Sequence, residues 1–182
     1  YTVRTNHILN EISKYHKIIC FVKPSKYHDY FNIYYINNIL YYNVNNRELY
    51  EFYLNEYIKQ SNIKILWSAS DNYNALLCSR LKKTYNLISI YEIRGFWHYT
   101  RKFLEKKENR FDKDFYNNYN NKEKLSCELN DYILCENQCI LNICNNEFKI
   151  NKNKLFLLSN GSEKSNEKKN KHNLNKKSKI VF

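Results

Sequence analysis

The sequence predicts an α/β protein built on an open, mostly parallel sheet with helices on both faces. Three observations predict it. Short, nearly continuous apolar runs alternate with segments of helical periodicity, the pattern of strands joined by right-handed helical crossovers. Polar clusters close several of the runs, at residues 68–72, 92–97 and 160–161, where an open sheet of this kind binds its ligands. The 182 residues also suffice for one domain, which at this size buries roughly 70% of the surface that its unfolded chain exposes.

The elements follow in order. Thr5 is placed to cap a helix whose apolar residues Ile8, Ile12 and Tyr15 recur at helical spacing. Residues 17–22 read as a strand covered on both faces and closed by Pro24. Residues 31–44 hold two tyrosine-rich strands with a hairpin turn at Asn37 and Asn38. Asn45 or Asn46 caps a helix that runs to Gln60, with Leu49, Phe52, Tyr53 and Tyr57 along one side. Residues 63–67 form the next strand, 68–72 a polar loop, 73–83 a helix, and 87–93 a strand ended by the Arg94-Gly95 turn. The Asn- and charge-rich stretch from about 106 to 121 reads as a loop. Residues 122–134 read as a helix with Leu125, Leu129 and Ile133 four apart, and 139–144 and 154–159 as the last two strands.

Composition narrows the function. No window approaches 18 uninterrupted apolar residues, so no transmembrane helix is expected. The first residues lack a signal-peptide pattern and an initiator methionine, which predicts a cut or processed terminus. The six cysteines form no Cys-x-x-Cys pair. Cys135 and Cys139, four apart, have no histidine nearby to complete a zinc set, so the thiols read as small apolar residues in a reducing cytoplasm. No Ser-His-Asp order, phosphate-cradling loop or His-Glu-x-x-His is present. The net charge of +12 attracts phosphate-bearing partners, whether nucleic acid, anionic lipid or phosphorylated substrate, unless it reflects a compositional bias toward lysine. Part of it lies in residues 162–182, with seven lysines against two glutamates.

Only two glycines occur, and both close strand-like runs, at Gly95 and Gly161. Glycine permits positive φ and close approach of a ligand to the backbone, so both mark a sharp turn or a site. Around them, Arg94 is a permanent cation that either binds an anion or pairs with Glu92, and Trp97 either stacks on a ligand or packs. Asn160 with Gly161 reads as a turn and hinge and, second, as a substrate contact. Ser70, Asp71 and Asn72 offer hydrogen bonds to hydroxyls, although Asn72 also suits a helix cap. Arg4 at a helix start opposes the helix dipole, which makes an anion-binding role attractive.

Together these segments resemble the N-terminal, Rossmann-like domain of family-4-type glycosyltransferases, which have the two-domain GT-B fold. Residues 1–5 are similar to the Gly-Tyr-x-x-Arg-Thr-His segment of that family, and 70–77 to its Ser-Asn/Asp…Asn-Gly/Ala-Leu stretch. The likeness is sharpest at Tyr91-Glu92-Ile93-Arg94-Gly95-Phe96-Trp97, close to the Tyr-Glu-Val-Arg-Gly-Phe/Leu-Trp-Glu of one bacterial subgroup, from which His98 departs. Glu128, residues 139–144 and Ser159-Asn160-Gly161 fall where the family has a helix glutamate, a strand and a Pro-Asn-Gly turn. Asn6 stands where the family usually has His.

The resemblance implies a domain over 1–161 whose first strand precedes Tyr1, a basic linker over 162–178, and the start of a second domain at 179–182. It implies a retaining transferase without an obligatory metal or cofactor. The nucleotide-sugar donor is held mainly by the second domain, and a lipid-linked or polysaccharide acceptor by this one. In that role Glu92 and Arg94 are the catalytic candidates: Glu92 accepts a hydroxyl proton or orients Arg94. Arg4, Ser70, Asp71, Asn72, Gly95, Trp97, Asn160 and Gly161 bind substrate. The expected setting is cytoplasmic, with peripheral contact at the inner face of an anionic membrane. Two other readings are a basic nucleic-acid-binding module and an inactive remnant. Most of the eighteen tyrosines fall at core spacing, which argues against nucleic acid.

Overall fold

A computed structural model describes residues 3–22, 31–44, 46–107 and 111–160. Its elements run α1 (Val3–Ser13), β1 (Ile19–Val22), β2 (Asn32–Ile36), β3 (Ile39–Asn43), α2 (Arg47–Gln60), β4 (Ile65–Ala69) and α3 (Asn72–Tyr85). They continue with β5 (Ile88–Ile93), α4 (Trp97–Lys107), α5 (Lys113–Leu129), β6 (Tyr132–Cys135), α6 (Gln138–Asn146) and β7 (Leu155–Leu157). The strands β4-β5-β6-β7 form one fully parallel sheet flanked by helices, a Rossmann-like α/β arrangement. A smaller sheet, ordered β1-β3-β2, pairs β1 parallel and β2 antiparallel to β3.

Local chemistry explains most boundaries. Asn37 and Asn38 both adopt positive φ, 49° and 64°, the backbone that a tight hairpin between β2 and β3 demands. Asn46 starts α2 by accepting from the Leu49 amide, and Asn86 ends α3 in the left-handed conformation. Asp112 and Asn137 start α5 and α6 in the same way, through the amides of Phe115 and Ile140.

Two apolar clusters hold the elements together. One gathers Tyr91 and Ile93 of β5, Ile133 and Cys135 of β6, Ala75 of α3, Cys127 of α5, and Ile140 and Cys144 of α6. The other joins Tyr50, Leu54 and Ile58 of α2 to Leu66 of β4 and Leu77, Cys78 and Leu81 of α3, with Phe21 of β1 packed against it. The helix α2 therefore ties the small sheet to the large one.

Several expectations are corrected. Residues 139–144 belong to α6 rather than to a strand: a six-residue apolar run suits either state, and here Ile140 and Cys144, one turn apart, face the core. The strand is β6, which takes the last three residues of the stretch expected to be helical and Cys135 after it, and the helix before it starts at Lys113 inside the expected loop. Leu125, one of the apolar residues four apart in the expected helix, is exposed. The buried face of α5 is instead Glu123, Ser126 and Cys127. Tyr15 lies beyond α1 and is exposed. Pro24 and Asn45 lie outside the described residues.

Candidate functional site

All four strands of the parallel sheet run into one polar cluster at their C-terminal edge. In β5, side chains alternate between faces, so Glu92 points away from Tyr91 and Ile93. Its carboxylate is only 2% exposed and sits between two arginines that are each 16% exposed. Arg94 donates to it through Nε at 2.8 Å and Nη2 at 3.2 Å, while Nη1 of the same side chain reaches Thr5 Oγ1 at 2.8 Å. Arg4, from the first turn of α1, donates through Nε to Glu92 Oε1 at 3.1 Å. Its other nitrogens reach the Leu158 carbonyl at 2.7 Å and the Asn160 side-chain oxygen. Asn160 in turn donates to Glu136 Oε1 at 2.7 Å.

Main-chain bonds fix this edge. The Ser70 amide donates to the Glu92 carbonyl at 2.8 Å, Glu136 N to Ile93 O at 3.0 Å, and Leu158 N to Cys135 O at 2.8 Å. The residues that follow β4, β5, β6 and β7 are thereby tied side by side. The helices α3, α4 and α6 start from the same edge and aim their N-terminal dipoles toward it.

The cluster brings together Arg4, Glu92, Arg94 and Asn160, and its main-chain ties bring Ser70 beside them. Glu92 has both oxygens occupied by guanidinium donors, so of its two expected roles the geometry serves the orienting one: it positions Arg94 and Arg4. The ion pair expected as the alternative for Arg94 is present. Thr5 does not cap α1, which starts at Val3; its hydroxyl holds Arg94. The cap of α3 is Asp71, accepting from Tyr73 N at 2.9 Å, and Asn72 is its first helical residue. Trp97 does not pack: it opens α4 and is 68% exposed. Glu128 stands apart on the exposed side of α5, in a loose pair with Lys124 at 3.8 Å. Gly161 lies outside the described residues.

Three participants escaped the sequence reading: Thr5 as a partner of Arg94, Glu136, and Glu123. Glu136 directly follows β6 as Arg94 directly follows β5, a strand-end position hidden by the mistaken helix. Glu123 is buried on α5, accepts from Tyr91 Oη at 2.7 Å, and lies near Asp71 and Asn72. Burial pushes its carboxyl from 4.5 up to about 7. His98, next to Trp97, is buried among Phe96, Tyr99, Tyr116 and Tyr119, and that burial lowers its pKa.

Gly95 corrects a further expectation. Its φ is not in the left-handed region, and a Cβ built there meets nothing within 4 Å. The turn does not require glycine; the position is open space at the start of α4. Ser70, by contrast, adopts φ of 60° without being glycine. Gly95→Ala is therefore expected to keep or raise stability by up to about 1 kcal/mol, and Ser70→Gly to raise it by about 1 kcal/mol through relief of the left-handed backbone. Urea unfolding of both variants checks this pair. A loss above about 2 kcal/mol in either would contradict the assigned backbone.

The fold and the cluster define an α/β protein with a charged site at the carboxyl edge of a parallel sheet. No protein-family model matches the chain, and no curated protein matches it.

Proposed function

We propose that this chain is the acceptor-side half of a retaining glycosyltransferase of GT-B architecture, moving a sugar from a nucleotide-sugar donor to a lipid-linked or polysaccharide acceptor. The observation that carries the reading is the convergence of Arg4, Glu92, Arg94 and Asn160, far apart in sequence, at the carboxyl edge of four parallel strands. In the transfer, the acceptor hydroxyl oxygen bonds to the anomeric carbon as the bond from that carbon to the diphosphate oxygen breaks. The hydroxyl proton leaves with the diphosphate. Arg94, held by Glu92 and Thr5, offers a fixed cation to the acceptor oxygen or to the developing phosphate charge. The open space above Gly95 gives a sugar room to lie beside Arg94.

The split between the two sheets also supports the reading. Among the described residues, the outer edges of β1 and β4 have no strand partner, yet Phe21 of β1 and Leu66 of β4 belong to one apolar cluster. One further strand set between two such edges would join them into a single doubly wound sheet. An N-terminal extension that supplies it would slow amide exchange in β1 and β4.

The 182 residues alone are expected to transfer no sugar, because the donor is held by a second domain. They are expected to bind a glycolipid acceptor, and Arg94→Ala should weaken that binding by about tenfold to a hundredfold. Nuclear magnetic resonance titration with acceptor glycolipids and a turnover assay with nucleotide sugars test both. Turnover by the isolated chain, or acceptor affinity unchanged in Arg94→Ala, would remove the proposal.

A further inference from the structure

The helix α4 is built the wrong way round for a helix that serves only the core. Its inner side carries His98, Tyr99 and Lys102: His98 Nε2 lies 3.2 Å from Asn120 Oδ1, and Lys102 sits 4.2 Å above the Tyr116 ring of α5. At about 100° per residue, Trp97, Thr100, Phe103 and Leu104 fall within about 120° on the other side. The three large apolar residues among them are 68%, 71% and 52% exposed. The inner side packs the polar-tipped rings of His98 and Tyr99 against the core and the neighbouring helix, while the larger apolar groups Trp97, Phe103 and Leu104 form a contiguous stripe that faces out.

The charges say what. The sequence of α4 contains four cations and a single carboxylate, Glu105, which Arg101 pairs. Arg101 and Lys106 flank the stripe on either side; Arg101 lies 3.9 Å above the Phe115 ring and Lys106 lies 5.6 Å above that of Phe111. Tryptophan and phenylalanine beside arginine and lysine form the side-chain set that settles at the headgroup level of a bilayer, with rings among the upper acyl chains and cations at the phosphates. Leu104 has no ring to stack on a base, which sets this stripe apart from a single-strand binding surface. One weak anchor binds reversibly, and the net charge of +12 favours an anionic over a neutral surface.

We infer that the outer stripe of α4, formed by Trp97, Phe103 and Leu104 and flanked by Arg101 and Lys106, lies against an anionic lipid surface. The inference gives a place on the fold to the membrane contact that the resemblance implies, and its test stands apart from the transferase reading, since vesicle binding is measured without donor or acceptor. If both hold, α4 starts immediately after the Arg94 cluster, so the lipid surface adjoins the mouth of the site.

The test uses the full chain with vesicles of phosphatidylcholine alone and with about 30 mol% phosphatidylglycerol added. The chain is expected to sediment with the anionic vesicles at least about tenfold more strongly. Its tryptophan emission should shift to the blue and be quenched by brominated lipid, and Trp97→Phe should remove the quenched component. The double variant Phe103→Ser, Leu104→Ser should lower partitioning by about tenfold or more. Because both side chains are exposed, its circular dichroism and melting should stay unchanged. Phe52→Ser, at an exposed position of α2, should partition like the parent. Equal partitioning of the double variant and the parent overturns the inference, since the lysines elsewhere then account for binding. Binding to single-stranded RNA with none to vesicles overturns it in favour of nucleic acid. Binding to neither overturns it in favour of a protein cover.

Discussion

Replacing Glu92 by alanine is expected to destabilise the folded chain by about 3–5 kcal/mol, the cost of removing one partner from a buried ion cluster. The carboxylate is almost fully enclosed and accepts three guanidinium hydrogen bonds, from Arg4 and Arg94. Without it, two guanidiniums, each only 16% exposed, remain close together with no anion between them. Thr5, Leu158 and Asn160 still hold their far ends, so neither arginine can simply swing into water. This is also why the vacated position should take up a free anion. Millimolar phosphate is expected to restore about 1–2 kcal/mol to Glu92→Ala and clearly less to the parent chain, whose guanidiniums are already paired. Arg94→Ala should cost less than Glu92→Ala, because Arg4 still pairs the carboxylate. Urea unfolding with and without phosphate reads all three effects. A Glu92→Ala loss below about 1 kcal/mol, or equal phosphate effects in parent and variant, would mean that the cluster is a solvated surface pair.

How much of this was legible in the sequence depended on the kind of signal. Strand β5, its polar end and the Asn37-Asn38 turn were readable because each is local: an apolar run, a charge at its close, two residues that tolerate positive φ. The meeting of Arg4 with Glu92, 88 residues apart, was not local, yet both stood out as charged residues at element ends. The order of β6 and α6 was misread because a short apolar run carries no period of its own, and only tertiary packing decides it. Helix α4 was invisible for the opposite reason: its apolar residues face outward, so the usual inward stripe is absent. Gly95 misled in a third way. Rarity in the chain made it look like a required turn, while the position that needs the left-handed backbone carries Ser70.

Glu123→Gln is expected to flatten the pH dependence of stability between about pH 4.5 and 7 and to make the chain more stable than the parent at pH 8 by about 2–3 kcal/mol. Burial pushes this carboxyl up to about 7, against an ordinary value of 4.5, and the nearby Asp71 adds to the rise. The hydrogen bonds from Tyr91 and Asn72 work the other way and only partly offset it. A proton is thus held more tightly in the folded state than in the unfolded one. The stabilisation is complete below about pH 4.5 and is lost as pH rises through about 7, where the folded chain must carry a buried charge. His98 runs against this trend: burial depresses its pKa, so its contribution is lost as pH falls below 6.5. The difference between parent and variant, measured by urea unfolding at pH 5, 6, 7 and 8, cancels His98 and isolates the carboxyl. Tyr91→Phe should push the Glu123 transition higher still, because it removes the donor that favours the charged form. Since Glu123 contacts Asn72 at the start of α3, the same proton bears on the Ser70 to Asn72 turn beside the arginine cluster. Parallel stability curves for parent and Glu123→Gln across this range would show that the carboxyl stays charged in its pocket, and the coupling between α5 and the sheet edge would have to be abandoned.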